Sequence, residues 1–221
     1  MSGTYVKTAS TLFVNLVIIG LTVLLMIGGC SKNDEQASLA AANAEPLEAA
    51  SMELDGDAVT LAGVTFTPPS EWRDLGASGM RKADYTFGPV GGDNDSASLA
   101  VYYFGPDNGG GIDANIDRWI GQMTMPDGGD PSEAATRKTY EVGGMTAHHV
   151  ELSGIYNVSS GPMMSGATTP KDGYLMSAVV LEAPEGNVFF KLTGPETSAR
   201  GMRKGFMSML SQVEGVEPAG Y

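Results

Sequence analysis

Few side chains in this sequence have the type and spacing for chemistry. His148 and His149 are the only histidines and they are adjacent. In an extended segment successive side chains point to opposite faces, so the two cannot readily ligate one metal together. His148 would share a face with Val150 and Leu152, and His149 the other face with Glu151. The pattern fits a half-buried His148 and a solvated His149, with a single metal ligand or a catalytic base as the functional alternative. Thirteen methionines would suit Cu(I), but they are scattered. Most read as core filling, and Met163-Met164 is the one adjacent pair. Asp93, Asn94 and Asp95, and separately Asp127 with Asp130, could offer oxygens to calcium, yet neither group has the twelve-residue loop closed by glutamate. They read as turn formers. No G-x-S-x-G elbow surrounds a serine, and no Lys-Ser/Thr pair follows the glycine-rich stretch 105–111. The expectation is no enzyme, no metal and no cofactor.

The charge and the cysteine count narrow the class further. Across 221 residues, 13 Lys plus Arg face 26 Asp plus Glu, a net charge of −13, and no basic stripe offers a phosphate-binding surface. Nucleic acid is therefore not an expected partner. One cysteine, Cys30, precludes an intrachain disulfide and a multi-cysteine metal centre.

Cys30 closes a distinctive N-terminal pattern. Residues 1–10 are polar with one cation, Lys7; residues 11–27 are almost wholly apolar; Gly28, Gly29 and Cys30 follow, and the composition then turns polar. This is the layout of a secretory signal peptide. An uncleaved anchor helix is the competing reading, with an apolar core at the short end of what spans a bilayer. The run Leu25-Met26-Ile27-Gly28-Gly29-Cys30 resembles the lipobox of bacterial lipoproteins, with Gly29 next to the cysteine and Gly28 where the family more often has Ala, Ser or Thr. The resemblance implies cleavage after residue 29, lipidation of Cys30 and acylation by fatty acids such as palmitate. Two or more chains hold a protein at a membrane where one does so marginally. Ser31, with no Asp at that place, resembles the pattern that sends such lipoproteins to an outer membrane, facing the periplasm; the alternative is the inner membrane with an uncleaved helix.

The remainder divides by composition. Residues 30–57 are rich in Ala, Glu and Asp with no aromatic, and read as a flexible tether. Residues 58–216 have the composition of one globular domain, and 217–221 form a tail. Strands are expected at 59–66, 81–87 and 98–104. A helix should follow, with Ile112, Ile116, Trp119, Ile120 and Met123 on one stripe and Asp113 as its N-cap. Two hairpins come next, 137–142 with 145–153 around Gly143-Gly144, and 174–181 with 187–193 around Pro184-Glu185-Gly186. A closing helix begins at Pro195-Glu196 with the stripe Ala199, Met202, Phe206, Met209, Leu210 and Val213.

This order predicts an α+β fold: an antiparallel sheet of about six to seven strands flanked by two helices, an α/β/α sandwich. With Trp72 after the proline-rich end of the first strand, it resembles the PsbP/Mog1-like domains, a group whose functions vary too widely for the fold to imply one. Residues 154–173, rich in Gly, Ser, Thr and Pro, read as a long loop in which Tyr156, Met163 and Met164 offer a binding surface. The expected function is a membrane-anchored envelope lipoprotein whose domain binds an envelope protein or a small ligand. The alternative is a hydrolase or other enzyme with a site near the 154–173 loop.

Overall fold

The computed structural model describes residues 44–48, 52–159 and 168–216. The signal segment with Cys30, together with Met163 and Met164, lies outside the described residues. Among the described residues no helix is long and apolar enough to cross a membrane.

The chain forms an α+β domain on a mixed sheet. Its six long strands are β5 (Arg81–Phe87), β6 (Ala97–Tyr103), β8 (Thr136–Val142), β9 (Met145–Ser159), β10 (Thr168–Ala183) and β11 (Gly186–Pro195). Short strands β1 (Glu45–Pro46) and β4 (Arg73–Asp74) edge the order β1-β8-β9-β10-β11-β6-β5-β4, and β7 (Met123–Thr124) pairs with β9. Among the described residues this sheet has nine strands, more than the six to seven expected. The three additional ones are two residues long, too short to carry a period-2 signal. β1 runs parallel to β8, and every other pairing in this sheet is antiparallel.

The expected strand 59–66 is instead a tight hairpin. β2 (Val59–Leu61) and β3 (Val64–Phe66) turn at Ala62 and Gly63, whose φ values are 55° and 75°, and join β12 (Glu214–Gly215) in a separate three-stranded sheet. Positive φ at both central residues suits the right-handed twist of the flanking strands. The described part of the stretch 30–57 lies on the domain: Glu45 and Pro46 pair with Tyr140 and Glu141, and Leu47 and Leu54 pack against the core.

Helices α1 (Ile112–Ile120) and α3 (Glu196–Ser211) cover opposite faces of the main sheet, and α2 (Pro131–Ala134) is one turn capped by Asp130. The whole stripe expected on α3 is buried, and Val213 just beyond it is buried too. Leu175, Val179, Leu181, Phe190 and Leu192 meet it from the sheet. On the other face Ile116, Trp119 and Ile120 meet Val150, Met176, Val180 and Phe189. At about 1.5 Å per residue α1 is only about 14 Å long, while β9 and β10 extend for roughly 50 Å. One short helix cannot cover that face. Its N-cap is Gly111 with no side-chain cap, not Asp113; Asn115 donates instead to the carbonyls of Gly109 and Gly111.

Candidate functional site

Where the apolar packing of α1 ends, its sheet face turns polar. Sheet register aligns Val150, Ala178, Lys191, Ala100 and Asp84 across β9, β10, β11, β6 and β5. Directly paired residues point to the same face, so Lys191 stands between two alanines. Asp84 lies two strands from Lys191, roughly 10 Å at the usual strand spacing. It is buried, ion-paired with Arg81 and 3.4 Å from the Ser98 hydroxyl. Lys191 donates to the Gln122 carbonyl oxygen and to the Tyr156 hydroxyl at 3.2 Å. Its Nζ also lies 5.0 Å from the centre of the Tyr156 ring, within cation–π range.

Aromatic rings wall this shelf. Tyr156 stacks on Tyr174 with centroids 6.0 Å apart and planes 17° from parallel, and Tyr102 stacks on Phe104 at 6.3 Å and 13°. Asp95 accepts from Lys171 at 2.9 Å and from the Tyr174 hydroxyl at 2.8 Å, tying β10 to the segment before β6. Burial pushes the Lys191 ammonium down to about 7, and repulsion from Arg118 and Arg81 adds to the effect. Burial also raises Tyr156, and burial with the Asp95 hydrogen bond pushes Tyr174 up to about 12. Lys191 is thus a half-buried cation held by neutral oxygens, with two more cations nearby.

Tyr156 lies within β9, not in a loop. The expected loop 154–173 is corrected: β9 continues to Ser159 and β10 begins at Thr168. The glycine-rich composition accommodates a bulge between Lys171 and Tyr174, where Gly173 has φ 65°. Lys191, Gln122, Arg81, Asp84 and Tyr102 were not expected at a site. The one local signal is Lys191 itself, a lone charge within the apolar run 188–192 and on the parity of Phe189.

His148 is half-buried as expected, whereas His149, expected in solvent, is buried. His149 is buried beneath α3 and beside Tyr140, its ring 5.9 Å from that ring, while His148 lies 2.7 Å from the Glu182 carboxylate. His149 Nε2 is 2.9 Å from the Ser177 hydroxyl and 3.8 Å from Glu151. This is not a nucleophile–base–acid relay. The carboxylate approaches the same ring nitrogen as the serine and is itself ion-paired with Arg203, and Ser177 is wholly buried. Burial pushes His149 down to about 4.

The aspartates serve the fold. Asp93 accepts from the Ser198 amide at 2.7 Å and its hydroxyl at 2.8 Å, capping the first turn of α3. Asp127 and Asp130 accept from Gly129 and Ser132 amides. Among the described residues no three His, Cys, Asp or Glu side chains converge as metal ligands. A concavity of about 680 Å³ opens on the α3 face between residues 45–48, Met52, β8 and α3, with Lys138, Arg203, Lys204, Glu45 and Glu48 in its lining.

No protein-family model matches the chain, and no curated protein matches it. Among solved structures it is similar to LpqN of Mycobacterium tuberculosis, described as involved in cell envelope biogenesis, at 12% identity over 74% of this chain and 86% of that one, with a TM-score of 0.44. It is also similar to the cyanobacterial PsbP (CyanoP) of Synechocystis sp. PCC 6803, at 15% identity over 86% and 98% of the two chains, with a TM-score of 0.42.

Proposed function

We propose that this protein is a lipid-anchored lipoprotein of the bacterial envelope whose PsbP/Mog1-like domain binds a small ligand without transforming it. Anchorage rests on the placement of Cys30 at the end of an apolar segment. Binding rests on one structural observation, the half-buried Lys191 held by the neutral oxygens of Gln122 and Tyr156. A half-buried cation with only neutral partners is costly to the fold, which favours a role outside it. In this reading the chain takes the outer membrane, with its domain facing the periplasm.

The same lysine supports a second reading. An amine pushed down to about 7 is partly neutral at physiological pH and able to attack a carbonyl, so the rival is an enzyme acting through Lys191.

The test uses full-length protein extracted in detergent and equilibrated with a small-molecule extract of its own cells. A ligand recovered unchanged from the wild type and missing from Lys191→Met supports a binding module. A compound converted to product, or a covalent adduct on Lys191 trapped by borohydride, supports the enzyme and overturns binding without turnover.

A further inference from the structure

We infer that the group seated against Lys191 is an anion, a carboxylate or phosphate carried by a small ligand. This rests on the binding-module reading above and specifies its ligand. Four observations converge on it.

Lys191 has no carboxylate partner among the described residues. Asp84, the acid aligned with it, is already engaged by Arg81 and Ser98, and Asp95 by Lys171 and Tyr174. The countercharge that a half-buried ammonium calls for is therefore left to a ligand.

The neutral partners also present donors. An ammonium only donates, so the Tyr156 hydroxyl accepts from Lys191 and keeps its own proton to give elsewhere. Gln122 places its carbonyl oxygen on Lys191, which turns its NH2 group the other way. Lys191 has a third N–H beyond these two. Lys191, Tyr156 and Gln122 thus each keep a donor that the pairing between them does not use.

The local field has the right sign. Arg118 and Arg81 both act on Lys191, and Asp84 offsets Arg81, so these four groups leave a net positive charge in a chain whose net charge is −13. Such a local field draws anions.

The neighbours along its row are small: Ala178 and Ala100 flank Lys191, and neither side chain extends beyond Cβ.

The experiment follows the lysine directly. Full-length protein labelled with 13Cε-lysine is prepared in detergent and its lysine 13Cε signals are followed by NMR against pH, the Lys191 signal being assigned by its loss in Lys191→Met. Inorganic phosphate and succinate are the probes, with neutral succinamide as the control. The expected result is a Lys191 titration that moves upward from about 7 with phosphate or succinate, whichever matches the ligand's group, and stays put with succinamide. Tyr156→Phe, which keeps the ring and removes the hydroxyl, should weaken the response several-fold. If Lys191→Met does not fold, the signal that moves in Tyr156→Phe identifies Lys191. A response to succinamide equal to that to succinate would overturn the anion while leaving the binding module standing. No response to any probe, with an extracted ligand that is uncharged, would do the same. No response and no extracted ligand at all would overturn both.

Discussion

The ammonium of Lys191 lies over the ring of Tyr156, 5.0 Å from its centre, and donates to the hydroxyl of the same residue at 3.2 Å. The two come from strands separated by β10, and each reaches over it on the face that α1 leaves open. Burial of that contact makes it sensitive to protonation, because Lys191 keeps its proton less readily in the folded chain than in the unfolded one.

A stability slope in mild alkali follows. Between about pH 7 and 10.5 the unfolded chain holds a proton on Lys191 that the folded chain has released, so stability from this group rises with pH across that window and is flat below it. Lys191→Met should remove the rise. Urea midpoints for wild type and variant at pH 7 and pH 10 measure it, and a parallel pH response in both would contradict the assignment.

His149 acts in acid. Its folded value of about 4 lies below the ordinary 6.5, so between those values the unfolded chain binds a proton that the folded chain does not. Stability should fall as the pH drops from 6.5 toward 4, by of the order of 3 kcal/mol from this site. Replacing His149 by Phe alone leaves the buried Ser177 hydroxyl without its histidine partner and should cost about 1–3 kcal/mol at neutral pH. The pair His149→Phe with Ser177→Ala should recover part of that cost and lose the acid dependence. Thermal unfolding at pH 7 and pH 5 separates the two effects.

Backbone approach sets a third expectation. A Cβ on Gly194 would lie 2.6 Å from the Ala97 Cα, and one on Gly205 would lie 2.8 Å from the Trp72 ring and 2.9 Å from Pro69. Gly194→Ala must move strand against strand, whereas Gly205→Ala must shift α3 against the Trp72 segment. Both should destabilise by about 1–3 kcal/mol, Gly194→Ala the more, because its obstacle is main chain. Gly76→Ala meets no atom within 4 Å and serves as the comparison, its cost limited to a positive φ of 76°. Equal unfolding midpoints for Gly194→Ala and Gly76→Ala would show that the β11–β6 approach is not tight.

These features differ in how visible they are from the chain alone. The α3 stripe shows plainly, since large apolar residues recur at helical spacing over four turns. The hairpin at Gly143-Gly144 shows because positive φ at both turn residues suits glycine, and the structure has 54° and 77° there. The break at Ala62 is hidden, because alanine at φ 55° gives no such signal. The arms of β9 and β10 are hidden for a different reason. Their Gly, Ser, Thr and Pro content resembles a loop, yet long antiparallel pairing satisfies the backbone without apolar side chains. The shelf is the least visible of all. Arg81, Gln122, Tyr156 and Lys191 are far apart along the chain and meet only in the folded sheet, so no local spacing announces them.

Anchorage has its own consequence. Cells fed an alkynyl fatty acid should label the wild-type protein and not Cys30→Ser, and the variant should leave the lipidated membrane fraction. Equal labelling of both would place the acyl chain elsewhere and remove the role assigned to Cys30.

The most direct measurement is the native mass of the protein released from its own membrane in detergent. A chain of residues 30–221 carrying acyl groups is expected, with a noncovalent adduct that is present in the wild type and absent in Lys191→Met. A chain mass of the full 221 residues with no acyl group would contradict the anchor, and an adduct that survives Lys191→Met would contradict the site.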